Sequence, residues 1–342
     1  MVEEGGVREN GSADGAAARS VARDAQVASG YRFAPVADPE ALRTRLEARA
    51  GELALLGTVL VAEEGVNLSL VGTAAALDAF EATLALEPGF ADFRGRRSPA
   101  FERQPFRRLK VRCRGEIVTL GRPQDRFEHE GAQRVDPQDW HRLLDDPTVT
   151  VIDVRNDFEV EAGTFPGSLD PHTSGFREFP DWVDAHLQPD RTGTIAMFCT
   201  GGIRCEKVAA WMRGRGFEDV RELDGGILAY LEAVPPEQSR WQGDCFVFDD
   251  RVSLREGLSP GELDLCHGCL RPLTLAATRS NAYEPGVSCP LCIDALTPEE
   301  RRLRRERRRQ ATADTASADS AGPATAQASR AAGGPPSRSD DS

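Results

Sequence analysis

The sequence predicts an α/β protein in three folded parts: a ferredoxin-like (split βαβ) N-terminal domain, a parallel α/β domain, and a small Cys-rich C-terminal region. Three observations predict it. From Tyr31 to Gly121 the apolar periodicity runs β-α-β-β-α-β, the order of a split-βαβ sandwich. From Asp136 to Ala233 continuous apolar runs alternate with helical ones, which implies a parallel sheet covered on both faces. Beyond Trp241 two C-x-x-C pairs stand in a short, polar stretch.

In the first block YRFAPV reads as a strand, and PEALRTRLEARAGELA as a helix with Leu42, Leu46 and Leu53 near one face. LLGTVLVAEEG and VNLSLVG read as two strands joined by a Glu64-Gly65 turn. AAALDAFEATLALEP is a second helix, and LKVRCRGEIVTLG supplies late strand material. In the second block TVTVIDVRN and GTIAMFC are buried-type strands and DWVDAHL is a helix. RCEKVAAWMRGRGF is a helix ended by glycines, DVRELDGG a short strand and ILAYLEA a closing helix. The expected boundaries are 30–122, 133–235 and 241–297, then a basic helix over 298–310 carrying Arg301, Arg302, Arg304, Arg305, Arg307, Arg308 and Arg309. Residues 1–29 and 311–342 are rich in Ala, Gly, Ser, Asp and Pro without periodicity, and read as a disordered arm and tail.

Composition narrows the function classes. No run of eighteen apolar residues is present, so no membrane partner is expected, and the N-terminus lacks the basic-then-apolar order of a secretory signal. Eight cysteines in a chain of 342 residues without such a signal suit thiol chemistry or metal binding in a reducing cytoplasm. A net charge of −13 argues against nucleic-acid binding by the whole surface, though not by a local patch. The cations are almost all arginine; Lys110 and Lys207 are the only lysines, which base composition explains without a function.

FCTGGIRCEK, residues 198–207, carries the chemistry. Cys199 ends a buried strand, where ligands of parallel sheets bind, and Gly201 and Gly202 lead straight into a helix whose free N–H groups can face the sulfur. The helix terminus and Arg204 both favour thiolate, so Cys199 is the expected nucleophile and Arg204 the group that stabilises an anion in the loop. Inert burial, the common fate of a lone cysteine after an apolar strand, would not need the glycines and the arginine together. Cys205 could resolve an oxidised Cys199 or simply pack its helix. A phosphate cradle needs C-x5-R; here the arginine comes at C-x4-R, a loop sized for a sulfur atom, which demotes phosphatase activity.

These residues, with VIDVRNDFEVEAGTFPGS and ELDGGI, resemble a rhodanese domain. The resemblance implies that Asp153 and Arg155 fix the active-site wall, the alternative being a solvent-facing ion pair. The order of parts is more specific. EEGVNLSLVG and PFRRLKVRCRGEIVTLG precede the thiol loop, and CFVFDDRVSL and the cysteine pairs follow it. From Tyr31 to Asp294 the chain is similar to the rhodanese-containing tRNA uridine 5-hydroxylase family. That implies hydroxylation of a wobble uridine to 5-hydroxyuridine and a required loop cysteine, Cys199. It also implies molecular oxygen as co-substrate, with an electron donor that no motif identifies. A sulfurtransferase carrying a persulfide on Cys199 is the competing reading; a non-catalytic binding module is disfavoured by Cys199 and Arg204.

A tRNA partner, held near its anticodon, has support in the residues. Nine basic side chains lie between Arg94 and Arg114, among them Arg103, Arg107, Arg108, Lys110 and Arg112, with Phe93, Phe101 and Phe106 interleaved as stacking faces. The last four of these cations are the expected RNA contacts, although alternation in RRLKVRCRGE would equally suit the solvent face of a strand. No Rossmann glycine pattern or two-His-one-carboxylate set appears. The route at C5 therefore stays open between thiolate addition at C6 and a persulfide or sulfenate on Cys199. Cys266, Cys269, Cys289 and Cys292, in two pairs nineteen residues apart, have the spacing of a closed four-thiolate structural zinc site. His267 is expected to be a bystander, and Cys113 and Cys245 packing residues.

Overall fold

A computed structural model describes residues 25–101, 104–122 and 132–320, with 311–320 as backbone only. Arg103 and most of the expected arm and tail, 1–24 and 321–342, fall outside the described residues.

The N-terminal domain contains β1 (Ala25–Phe33), α1 (Pro39–Glu52), β2 (Leu56–Ala62), β3 (Gly65–Thr73), α2 (Ala74–Leu84), β4 (Arg96–Pro99) and β5 (Leu109–Cys113). The sheet order is β4-β1-β3-β2-β5, antiparallel except for β5, which pairs parallel with β2. The first four strands have the split-βαβ order, and β5 is an addition at one edge. One face of the sheet is apolar: Ala28, Val59, Val61, Leu68, Leu70 and Val111 pack with Leu42, Leu46, Leu77, Phe80 and Leu84 of the two helices. Strand alternation sends Ser29, Tyr31, Thr58, Leu60, Asn67, Ser69, Lys110 and Arg112 to the other face. That helix-free face builds the site.

Three assignments differ from expectation. Ala25–Ser29, assigned to the arm, belong to β1, because pairing with Ser69–Thr73 of β3 satisfies their backbone. GEIVTLG is not strand; only Leu109–Cys113 pair, and Glu116 instead turns its carboxylate onto the N–H groups of Leu120 and Gly121. The hairpin turn is Glu63-Glu64, with Gly65 already in β3.

The second domain contains β6 (Gln133–Val135), α3 (Trp140–Asp145), β7 (Thr150–Asp153), α4 (Asp157–Ala162), β8 (Gly163–Thr164), α5 (Phe179–His186), β9 (Ile195–Phe198), α6 (Ile203–Arg213), β10 (Val220–Leu223) and α7 (Gly226–Ala233). Its sheet, β6-β10-β9-β7, is parallel throughout. Ile152, Ile195, Met197 and Val220 pack with α5 and α6 on one face. Phe198, Ala196 and Leu223 pack with α3, α7, Phe165 and Trp241 on the other. Both faces are covered, as a run of consecutive apolar residues such as IAMF requires.

The C-terminal region contains the short strands β11 (Gln242–Gly243), β12 (Cys245–Phe246), β13 (Ser253–Leu254), β14 (Asp264–Leu265) and β15 (Pro272–Leu273), and the one-turn helix α8 (Leu275–Thr278). Helix α9 (Pro298–Ser320) is a unit separate from the body that ends at Leu296. It runs past Gln310, where a disordered tail was expected, because QATADTASADS is alanine-rich and contains no Gly or Pro to stop a helix. No described helix is long and apolar enough to cross a membrane.

Candidate active site

Cys199 sits at the C-terminal end of β9, and its Sγ accepts the Gly202 N–H at 3.2 Å. Gly202 has φ +98°, in the left-handed region, and a Cβ there would stand 3.0 Å from Tyr31 Oη. A second glycine turn closes the loop from behind. Ile227 N–H donates to the Cys199 carbonyl (2.9 Å) and Leu228 N–H to that of Thr200 (3.1 Å), while Gly226 (φ +66°) leaves no room for a Cβ beside the Cys199 carbonyl. The ELDGGI turn thus shapes the loop directly.

Burial alone would push the Cys199 thiol up. The hydrogen bond from the Cys205 thiol, the Arg204 charge, and the N–H groups of Cys205 and Arg204 outweigh it and bring the pKa down to about 5. Cys205 is fully buried and its own pKa is raised, first by burial and then by its bond to Cys199, so it acts as a neutral donor to the thiolate. Arg204 is not aimed at an incoming anion. Its guanidinium forms a bidentate pair with buried Glu159 (2.7 and 2.8 Å) and touches Thr200 Oγ1 at 3.3 Å. It stabilises the thiolate by charge at short range, and Glu159 is the partner that fixes it.

Asp153 and Arg155 are completely buried, bonded through Nε (2.8 Å) and Nη2 (2.6 Å), with Arg155 also donating to the Gly163 carbonyl and lying over the Trp241 ring at 5.1 Å. The solvent-facing alternative is therefore excluded, and neither residue lines the cavity described next. They brace the strand end behind α4.

A cavity of about 900 Å³ opens over the loop, lined by Cys199, Thr200, Gly201, Ile203 and Arg204 on one side. The opposite wall is the helix-free face of the N-terminal sheet, with Ser29, Tyr31, Thr58, Leu60, Asn67 and Ser69. Its size lies at the upper end of ligand pockets generally. Tyr31 Oη donates to Glu206 Oε2 at 2.8 Å, Arg134 Nη2 reaches the same oxygen at 2.8 Å, and Arg134 Nε reaches Glu222 at 3.2 Å. Burial, then the charge of Glu206, raises the Glu222 pKa to about 8, so this carboxyl holds a proton at neutral pH. Sequence reading missed this network. Its four members come from β1, β6, α6 and β10, and no local motif links them.

The two domains are clamped beside the cavity by Lys207. Its side chain is 1% exposed and bonds both oxygens of Glu64 (2.9 Å each), Glu116 (2.5 Å) and the Val118 carbonyl (2.9 Å). A lysine set aside as a compositional accident is a buried polar bridge between the domains.

Of the expected RNA contacts, Arg107, Arg108 and Arg112 are exposed and Lys110 half-buried, along β5 and its approach. The expected aromatic faces are different. Phe93 is 2% exposed in the N-terminal core and Phe101 packs against the second domain, leaving Phe106 at the cavity wall. Bulk apolar rings inside a basic stretch found core positions first.

Cys266, Cys269, Cys289 and Cys292 place their sulfurs within 4.8 Å of one another, with Cys269–Cys289 at 3.8 Å and Cys289–Cys292 at 3.7 Å. A tetrahedral zinc with Zn–S bonds of about 2.3 Å has edges of about 3.8 Å, so the donor set fits a four-thiolate metal. Arg271, in the loop after the first pair, bonds Asp157 of α4 at 2.6 Å and ties this knuckle to the helix that carries Glu159. Cys245 is fully buried, and the Cys113 thiol donates to the Pro39 carbonyl at 3.3 Å.

Comparison with known proteins places these features in a family. A family model described as UPF0176 acylphosphatase like domain matches residues 25–117, and one described as Rhodanese-like domain matches 136–233. A relative from Picosynechococcus sp. named tRNA uridine(34) hydroxylase is 46% identical, covering 82% of this chain and 93% of the relative. Relatives of the same name from Deinococcus radiodurans (49% identical) and Mesorhizobium japonicum (47%) each match 83% of this chain and, respectively, 93% and 92% of their own length. With both domains matched and the identity spread over most of its length, the chain belongs to the tRNA uridine(34) hydroxylase family.

Proposed function

We propose that the protein hydroxylates uridine 34 of tRNA at C5 in the cytoplasm, with Cys199 as the reactive group. The observation that carries this reading is the shared cavity: just beneath one wall lies a buried thiol ionised at neutral pH, and the other wall is a polar sheet face continuous with a basic edge. A nucleotide turned out of the anticodon loop would place its base between them.

Cys199 has no exposed surface, so a uracil ring cannot reach its Sγ without displacing the loop. This favours an atom carried on the sulfur. As a persulfide, charged by transfer of a sulfane sulfur atom from a donor of the thiosulfate or persulfide class, the terminal sulfur adds to C6, and the C5–C6 π pair moves onto C5 and O4. C5 then takes an oxygen atom from dioxygen, the second oxygen leaves as water using two electrons and two protons from a reductant, and loss of the C5 proton expels the persulfide. The Cys205 thiol, Arg204 and the loop N–H groups stabilise the anionic sulfur at either end of this cycle. The Tyr31–Glu206–Arg134 network holds the wall opposite it.

The same persulfide would serve sulfur transfer, and the two activities separate experimentally. Nucleosides of tRNA from a strain lacking the gene should regain 5-hydroxyuridine when the gene is restored; cyanide-dependent thiocyanate release without any change in tRNA would support the sulfurtransferase instead. The cysteine knuckle is proposed to hold structural zinc. One zinc per chain is expected, and Cys289→Ser should lose the metal and lower the thermal midpoint, since a closed four-ligand site contributes directly to folding. Full stability without bound metal would refute it.

A further inference from the structure

Among the described residues one large aromatic side chain stands markedly exposed. Phe248 is 64% exposed, whereas the other exposed large hydrophobics are leucines. Its ring is nevertheless fixed: Phe246 meets it edge-on at 5.2 Å and Phe158 at 6.4 Å. A face held in place by two neighbours loses little freedom when something stacks on it.

The position of Phe248 gives that face a use. It lines the 900 Å³ cavity over Cys199 and also a second cavity of about 520 Å³, bounded by Thr58, Phe106, Arg107, Arg108 and Lys110. The carboxylates at this junction are already compensated, Asp249 by Arg251 (2.6 Å) and Asp250 by Arg107 (3.1 Å). Arg108 and Lys110 make no ion pair among the described residues, so their charge is available to an external anion. A cavity able to take a base, a rigid aromatic face at its threshold and free cations beyond it are the three elements by which single-stranded RNA is held.

We propose that Phe248 stacks the unpaired nucleotide adjacent to the target, and that the RNA backbone continues from it across Arg108 and Lys110. The inference rests on the tRNA reading and assigns its substrate path. It also explains why an apolar ring stays at the surface beside two aspartates that are each paired with an arginine.

The test is binding of a fluorescent anticodon stem–loop RNA to the full chain across a salt series. Phe248→Ala should weaken binding about tenfold with the salt slope unchanged, and Phe248→Trp should restore it. Arg108→Ala and Lys110→Ala should each lower the salt slope by about one. If the wild-type chain binds the RNA and Phe248→Ala binds it equally well, the stacking assignment is wrong while the tRNA reading stands. If the wild-type chain does not bind the RNA, the tRNA reading fails and takes this assignment with it.

Discussion

Replacing Arg204 with leucine is expected to cost both stability and reactivity, by separable amounts. Glu159 would keep its burial and lose its bidentate partner, and an uncompensated buried charge costs about 3–5 kcal/mol. The Cys199 thiolate would lose the nearby positive charge while burial still opposes ionisation, so its pKa should rise from about 5 toward the ordinary thiol range. The sign is definite. In the wild type the thiolate persists at neutral pH and is lost as pH falls through about 5; in the variant it is lost at a higher pH. A thiol titrating near 8.5 is only a few per cent ionised at pH 7, which predicts about a thirtyfold loss of thiolate-dependent rate there. Thiolate absorbance against pH, with Cys199→Ala as the blank, reads the shift. The double variant Arg204→Leu, Glu159→Gln should recover stability but not the low pKa, because it removes the stranded charge without replacing the cation. An unshifted thiolate titration in the single variant would contradict the electrostatic account.

Lys207→Met should be the most destabilising substitution at the contact between the domains. The ammonium neutralises Glu64 and Glu116, whose side chains are mostly buried, and hydrogen bonding to Lys207 helps hold the Glu116 carboxyl below its ordinary range against its own burial. Without it, two carboxylates face each other in a confined space, a loss of about 3–5 kcal/mol. Chemical denaturation should show the earlier midpoint. Because the clamp lies on α6 next to Glu206, the N-terminal wall of the cavity should loosen as well, seen as faster amide exchange in β1 and β3. A variant with wild-type midpoint and exchange would mean that apolar contacts, such as those of Ile203 on α6 with the cluster of Phe33, Ala62 and Ile117, alone hold the domains together.

The fold was largely legible because its periodicities are local. IAMF, VLVA and the helix of Leu42 and Leu46 declare their partners by alternation, and the thiol loop declares itself by glycines next to a cysteine. The four knuckle cysteines were equally legible from spacing, and the structure brings their sulfurs together. Other features were hidden for a common reason. Tyr31 meets Glu206, and Lys207 meets Glu64, only through packing between domains, so neither pair has a signature in any short window. The charge of Arg204 beside the loop was legible, but its partner Glu159 was not, because Glu159 lies in a distant helix. Phe248 was invisible beside Phe93, Phe101 and Phe106, since composition cannot say which ring a core will claim.

The central claim is that the Cys199 sulfur, in its cavity, activates C5 of uridine 34 to take an oxygen atom from dioxygen. Its most direct test is mass spectrometry of tRNA nucleosides from a strain lacking the gene, grown under isotopically heavy dioxygen and complemented with wild type or Cys199→Ala. The account predicts heavy-labelled 5-hydroxyuridine at position 34 with the wild type and none with the variant, given equal protein levels. Labelled product formed equally well by Cys199→Ala would contradict it.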